Sequence, residues 1–560
     1  MTASLVDIRG TSPERNRTSG LAAWIDVGTR PWQLASLLVA LLVAAPVVVV
    51  VSAWFTPATD IWRHLAQTVL PGLLRNTAVL IVGVGLGVFI LGVGLAWLTA
   101  LCDFPGRRLF DAALMLPLAI PAYVFAFVAV GLLDFSGPVQ SWLRTQFGEI
   151  WFPPIRSAGG VIAVMVLAFY PYVYMLARAA FLAQGRSMFD TGRAFGLSPL
   201  RAFWRVALPV ARPAIAAGVI LALMETLADF GAVSVFNYDT FTTAIYKSWQ
   251  GLFSLPAAAQ LSSLLLLFIA LALVSERALR GRARFHIGHK HGREQRIRLR
   301  GARAGLATGA CALVLLLGFA VPLTQLLVWA AEAARTDLDL RYFGFIGNTL
   351  ALGLLAAIGT SLAALVVAYA YRLRPDRLIA GATRFATLGY ALPGSVLAVG
   401  IMTAFIWVDQ HVLAPVQAAL GLTVAPVLAG GLLALLIAYG VRFMAVAYGP
   451  VDSAFERIKP SLLQAARSLG ASNREILWRV SLPMLRTGVF SAAALVFVEV
   501  MKEMPATLLL RPFGWDTLAI RIFEMTAEGE WTRAALPAVA LVLVGLVPVI
   551  LLMRRDRIHN

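Results

Sequence analysis

Charge is what this 560-residue chain has little of. Asp, Glu, Lys and Arg make up 14% of its residues, against 59% that are hydrophobic, whereas soluble domains carry about 25% charged residues. A water-soluble globular protein is thereby excluded. Lysine is scarcer still: Lys247, Lys290, Lys459 and Lys502 are the four present, and none follows a glycine. The chain thus lacks a phosphate-cradling Gly-Lys-Ser/Thr loop, which excludes nucleotide hydrolysis by that machinery. The two cysteines, Cys102 and Cys311, lie in or beside apolar runs and lack the spacing of a disulfide framework or a metal site. Acids are outnumbered 29 to 47, leaving a net charge of +18. That balance raises the question of nucleic acid, which the placement of the cations answers below.

Long apolar runs are abundant, and runs near or above 18 residues read as bilayer-spanning helices. The expected spans are approximately 33–54, 76–101, 109–133, 159–182, 214–236 and 257–275, then 304–330, 347–371, 384–408, 427–448, 488–510 and 534–553. This predicts an all-α polytopic membrane protein of about twelve transmembrane helices. The expected organisation is a tail over 1–32, a first six-helix half over 33–276, a basic linker over 277–303, a second half over 304–553 and a tail over 554–560. The first thirty or so residues are polar, contain Arg9, Arg15, Arg17 and Arg30, and precede no small-residue cleavage site. They read as a tail ahead of an uncleaved helix, not as a signal peptide.

Cytoplasmic loops carry the excess of Lys and Arg. With the N-terminus inside, the inner segments hold Arg107, Arg108, the linker, Arg372, Arg374, Arg377, Arg554, Arg555 and Arg557. The outer ones hold Asp134, Glu149, Asp239, Glu332, Asp337, Asp339, Asp516, Glu524, Glu528 and Glu530. Both termini are therefore expected in the cytoplasm, in a multi-pass membrane protein. Nucleic acid drops out as a partner. The linker is expected to lie along anionic membrane lipids. Its His286, His289 and His291 read as part of a solvated connector, since the carboxylates and turns that fix a coordination geometry are missing.

One hydrophilic stretch occurs twice. Residues 193–213 read RAFGLSPLRAFWRVALPVARP and residues 467–487 read RSLGASNREILWRVSLPMLRT, identical at nine of twenty-one positions with an offset of 274. Asn76-Thr77 and Asn348-Thr349, like Pro121 and Pro393, repeat at an offset of 272. An even number of spans separates equivalent points, so the halves are parallel repeats about a pseudo-two-fold axis along the membrane normal. In each loop copy a glycine, Gly196 or Gly470, permits a tight reversal. A short amphipathic helix carrying Trp204-Arg205 or Trp478-Arg479 is expected next, ended by Leu208-Pro209 or Leu482-Pro483. Such a helix on the inner membrane surface suits docking by a cytoplasmic partner; a plain surface helix anchored by Trp and Arg is the other reading.

The same offset of 274 relates Glu225 to Glu499 and Asp229 to Glu503. Each pair is four residues apart on one helical face, in an otherwise apolar span. Ionisable groups at bilayer depth cost about 2.5–3.5 kcal/mol each on insertion scales and usually face a bundle interior or a pathway. Four carboxylates around the axis suit transient contact with a hard cation, without a stable metal site. The alternative is structural: Glu503 paired with Lys502, or the acids capping helices broken at Gly231 and Pro505. Gly83, Gly85 and Gly87 are expected to allow close helix packing. Tyr170, Tyr172 and Tyr174 read as interfacial anchors.

The pattern Ala-Ala-x-x-x-Gly followed by Leu-Pro resembles the cytoplasmic coupling loop of ABC importer permeases. Gln464-Ala465-Ala466-Arg467-Ser468-Leu469-Gly470 with Leu482-Pro483 matches well; Asp190-Thr191-Gly192-Arg193-Ala194-Phe195-Gly196 with Leu208-Pro209 is looser. Both depart at the acidic lead position, where Asp190 replaces the usual Glu and Gln464 is uncharged. Two halves in one chain resemble the fused ferric-iron permeases, with thiamine permeases as near relatives. Leu227-Ala-Asp-Phe-Gly-Ala232 and Lys502-Glu-Met-Pro-Ala-Thr507 resemble the iron branch more closely. The resemblance implies a type I ABC importer-like fold and an ATP-driven, binding-protein-dependent importer of iron(III), or alternatively of thiamine or another small cationic solute. It implies two separate ATPase subunits using ATP and Mg, a periplasmic or surface solute-binding protein, and no cofactor or catalysis in this chain. The coupling residues it implies are Asp190, Arg193, Gly196, Trp204, Arg205, Pro209, Gln464, Ala465, Ala466, Gly470, Trp478, Arg479 and Pro483. A secondary transporter of the major facilitator type shares the twelve spans and the basic central loop, and Asp103-Phe-Pro-Gly-Arg-Arg108 is similar to its inner loop. It has no reason to duplicate a docking loop.

Overall fold

The computed structural model describes residues 30–55, 59–149, 151–194, 196–280, 296–373, 376–472 and 475–559. Most of the expected linker, with its three histidines, and most of the N-terminal tail lie outside them. With no water in a bilayer core to satisfy backbone groups, apolar runs must close their hydrogen bonds internally, as helices. Twelve helices among the described residues are long and apolar enough to cross a membrane. The elements used below are α1 (Arg30–Ser52), α2 (Leu70–Leu101), α3 (Ala122–Leu133), α4 (Ala158–Ala194), α5 (Leu208–Ala228), α6 (Gly231–Val235) and α7 (Leu255–Arg280) in the first half. The second half contributes α8 (Ala302–Leu315), α9 (Val321–Asp337), α10 (Leu340–Leu373), α11 (Gly394–Val408), α12 (Leu432–Glu456) and α13 (Pro460–Ser468). It closes with α14 (Leu482–Lys502), α15 (Pro505–Leu510) and α16 (Trp531–His559).

Four expected spans are not single helices. The stretch 109–133 is interrupted: a helix over Arg107–Ala113 and a 3-10 turn over Leu116–Ala119 precede Pro121, which stands in extended conformation at the N-cap of α3. Pro393 does the same for α11 after a 3-10 turn over Thr387–Ala391. A proline has no N–H to continue a helix and holds φ near −65°, so it begins one well. The spans expected over 214–236 and 488–510 break after Ala228 and Lys502, and short helices α6 and α15 follow. The last helix continues beyond the expected 553 to His559.

Close packing of α2 follows from its glycines. A Cβ on Gly83 would lie 2.5 Å from Ile162 Cδ1 and one on Gly87 2.3 Å from Val166 Cγ2, both on α4. An ion pair fixes each half: Arg178 Nε donates to Asp111 at 2.6 Å, and Arg372 Nη2 donates to Asp452 at 3.1 Å. Position 178 plus the repeat offset is 452, so the two halves use opposite charges at that place on their fourth helices.

The halves exchange their first helices. α1 packs on α10 and α11 of the second half, with Trp32 edge-on to Tyr369 at 4.9 Å. On the opposite side, α8 and α9 reach the first half: Thr308 Oγ1 donates to Pro105 O at 3.0 Å, and Trp329 stacks on Phe127 at 6.5 Å. The end of the linker is also fastened there. Strand β2 (Ile297–Arg298) runs parallel to β1 (Cys102–Asp103), and Leu299 N–H donates to Asp103 O at 3.0 Å.

Candidate functional site

The breaks in the fifth and eleventh spans place the paired acids. Each helix ends beside its second acid, Asp229 or Glu503, in extended conformation at the C-cap. The next short helix then presents its unpaired N–H groups to that carboxylate. Val233 N–H donates to Asp229 Oδ1 at 3.2 Å. Ala506 and Thr507 N–H donate to Glu503 Oε1 and Oε2 at 2.9 and 3.0 Å, and Thr507 Oγ1 adds a third bond at 2.7 Å. The capping alternative therefore describes Asp229 and Glu503. Glu503, 5% exposed, stands just before the N-cap residue Met504 and satisfies the free N–H groups at the start of α15. Glu503→Ala strands buried N–H groups and is expected to cost about 1–2 kcal/mol, read as a lowered Tm in nanodiscs; Glu503→Gln, which keeps an acceptor, loses less.

Glu225 and Glu499 are one turn earlier and are not used as caps. Glu225 Oε1 accepts from Tyr390 Oη at 2.8 Å; Glu499 has no hydrogen bond among the described residues. All four acids line one cavity of about 320 Å³. The predicted convergence is present, but among the described residues no three His, Cys, Asp or Glu side chains approach as a metal-ligand set. Two bases share the cavity, Arg442 and Lys502. Arg442 belongs to α12 and donates through Nη1 to Leu392 O at 3.1 Å. The Lys502–Glu503 pairing is not formed: Lys502 Nζ reaches Leu118 O at 3.5 Å.

The tyrosines are not interfacial anchors. Tyr170 and Tyr174 are fully buried and donate to Leu114 O and Asp111 O, each at 2.8 Å. Tyr172 lines the cavity, with Tyr123 and Tyr390. Tyr170 and Tyr174, four residues apart, share one helical face, and Tyr172 between them points elsewhere, so a single interfacial role was not available to all three.

The repeated loops differ from expectation in one respect and from each other in another. Gly196 and Gly470 have φ of +77° and +85°, the left-handed region that glycine enters without steric cost. Leu-Pro does not end the helix that follows. A wide turn over Phe203–Ala207 runs directly into α5, and one over Ile476–Ser481 runs directly into α14. Leu208 N–H reaches back five residues to Phe203 O. That widening accommodates the proline, which has no N–H and would crowd the preceding carbonyl in a regular α-turn. The short separate helix is α13, before Gly470 rather than after it; in the first half α4 continues unbroken to Ala194.

Both Trp-Arg pairs stand out from the surface: Trp204 is 56% and Trp478 59% exposed, and Arg205, Arg479, Pro209 and Pro483 are exposed as well. Gln464 and Ala465 are exposed and Ala466 half-buried on α13. Asp190 and Arg193 lie within α4, but their side chains are outside the described set. Phe203 holds the first loop by packing edge-on to Trp97 at 4.5 Å. The second carries its own brace: Ser472 N–H and Oγ donate to Glu475 Oε2 at 3.0 and 3.1 Å, which holds that carboxyl below its ordinary range.

A role also emerges for the repeated Asn-Thr pair, whose recurrence alone was visible in sequence. Asn76 Nδ2 donates to Asp239 O at 2.9 Å, and Asn348 Nδ2 donates to Gly514 O and Asp516 O at 3.0 and 3.1 Å. Each ties the start of the second helix of its half to the loop beyond the broken one.

The chain matches a family model described as "Binding-protein-dependent transport system inner membrane component" twice, over residues 89–284 and 361–558. It is 28% identical to the Fe(3+)-transport system permease protein FbpB 2 of Haemophilus influenzae over 487 residues, 86% of this chain and 89% of that protein. It is 22% identical to the ferric transport system permease protein FbpB of Actinobacillus pleuropneumoniae over 514 residues, 87% and 72% of the two chains. The molybdenum transport system permease protein ModB of Escherichia coli K12 is 30% identical over 191 residues, 33% of this chain and 80% of that protein.

Proposed function

Because the chain belongs to the family of binding-protein-dependent transport system inner membrane components, we propose that it is the fused permease of an importer that moves iron(III) across the cytoplasmic membrane. As an ABC importer permease it is a transport subunit, which replaces the major-facilitator alternative. The observation that carries iron is one of extent. The two ferric permeases align with both halves, while the molybdenum permease aligns with about a third of the chain. Four acids in one central cavity are compatible with a hard cation in transit.

In this reading two separate ATPase subunits, which bind and hydrolyse ATP with Mg, dock at the surfaces around Gly196 and Gly470. Their closure moves the two loops and opens the cavity outward, toward a solute-binding protein at the outer face. Both termini are cytoplasmic, following the distribution of Lys and Arg. Oxyanion transport is the second reading, favoured by Arg442 and Lys502 in the cavity. The test is uptake into proteoliposomes holding the permease, its ATPases and its binding protein. ATP-dependent accumulation of radiolabelled iron(III), not displaced by molybdate or sulfate, is the expected result; accumulation of molybdate or sulfate instead overturns it.

A further inference from the structure

The acids of the cavity come in pseudo-symmetric pairs, but the bases do not. The position of Lys502 in the first half is Ala228, 274 residues earlier. An ammonium has three donors and is strongly hydrated in water, so burying one requires compensation. Lys502 finds little of it by direct bonding. Its Nζ makes a long 3.5 Å hydrogen bond to Leu118 O and forms no ion pair among the described residues. Its stem fits against Gly545 of α16, where a Cβ would lie 2.9 Å from Cε and 3.1 Å from Nζ.

The groups facing it are also short of partners. Glu499 has no hydrogen bond among the described residues, and Glu225 has the one from Tyr390. Tyr123, 7% exposed, lines the same cavity, and its buried Oη has no hydrogen-bond partner among the described residues. A carboxylate, an ammonium and a phenol thus lie around one space, each with bonding capacity unused.

We propose that Lys502 is a resident counter-cation of the pathway, its ammonium offsetting Glu225 and Glu499 while the cavity is empty and yielding that place to an entering polyvalent cation. The inference rests on the reading that the cavity passes a cation. A tethered monovalent charge cannot leave with the cargo. It lowers the hold of the carboxylates on a trivalent ion, so that the ion enters but does not stay, as conduction through a binding site requires. The aliphatic stem and the seam between α14 and α16 allow a short swing between Leu118 O and the acids.

Terbium(III), a hard trivalent cation whose luminescence is sensitised by nearby tyrosine, serves as the probe, with the full chain in nanodiscs of zwitterionic lipid. Lys502→Met is expected to tighten terbium binding about tenfold or more, or 1.4 kcal/mol per tenfold, while Lys502→Arg stays within about twofold of the parent. Lys502→Gln, a second neutral variant, guards against a folding defect peculiar to Met; monodisperse elution is required of each. Unchanged or weaker binding in the neutral variants overturns the inference, as does Lys502→Arg behaving like them. If Glu225→Gln/Glu499→Gln abolishes iron uptake while Lys502→Met leaves terbium binding unchanged, the pathway stands and only the counter-cation falls. If that double variant transports normally, the cation pathway itself is wrong.

Discussion

Glu225→Gln/Glu499→Gln is expected to lower iron uptake in proteoliposomes by about a hundredfold or more while ATPase association is retained. The substitution is nearly isosteric, and Gln at 225 keeps an oxygen to accept the hydrogen bond that Tyr390 gives Glu225 at 2.8 Å. Charge is removed and shape is not. A unit charge about 4 Å from a passing cation contributes about 4 kcal/mol at an effective dielectric of about 20, so losing two such charges outweighs the lower cost of burying neutral amides. Tyr390→Phe, which deletes the hydrogen bond and leaves both charges, is expected to have a much smaller effect. Parent-like uptake in the double variant would remove these acids from the pathway. Asp229 and Glu503 are poor positions for this test, since each caps a helix and its loss disturbs folding as well.

The second large effect is expected at the turn glycines. Nothing lies within 4 Å of a Cβ built on Gly196 or Gly470, so a substituent meets no neighbour and its whole cost is backbone. Left-handed conformation costs an L-residue roughly 1–2 kcal/mol, and Asn tolerates it best. The expected order of uptake and of substrate-stimulated ATPase activity at either position is Gly, then Asn, then Ala, then Val, with ATPase association preserved. The two positions are not expected to respond equally. In the second half the chain is already interrupted between α12 and α13, and that joint absorbs a reorientation. In the first half α4 runs from the membrane to Ala194 without interruption, so strain at Gly196 passes to a long rigid lever. Gly196→Val is accordingly the more damaging of the two valine substitutions. An identical ranking and size of effect at both glycines would show that the helix break is immaterial.

Much of the architecture was legible because lipid leaves a chain few options. Runs of apolar residues long enough to span had to be helices, and the offset of 274 alone relates Glu225 to Glu499. The same offset sets Ala228 opposite Lys502, so the asymmetry of the bases is written in the sequence as well. What could not be read was where helices bend. Pro209 and Pro483 look like terminators, yet a widened turn before each lets the helix pass through. Pro121 and Pro393, in equally apolar surroundings, do begin new helices. The difference lies in whether the preceding N–H groups find carbonyls five residues back, a matter of local geometry that residue types alone do not determine. The misreading of Tyr170, Tyr172 and Tyr174 has a different origin. Aromatic residues near the end of a span suggested a membrane boundary, whereas α4 continues far beyond it and buries two of the three hydroxyls against the helix and turn around Asp111 and Leu114.

The exchange of first helices bears on the order in which the protein is made. α1 leaves the ribosome first, but its neighbours on α11 are encoded roughly 340 residues later. At about 5–20 residues per second, α1 waits in the bilayer for roughly 20–70 s before α11 exists. A helix in that position cannot depend on partners to remain inserted. α1 and the short turn after it have the highest hydropathy of the twelve spans, 3.0, and the smallest buried share in the finished fold, 22%. Its composition suits the interval of waiting as much as the final structure, and polar substitutions along α1 are therefore expected to appear first as failed membrane insertion during synthesis.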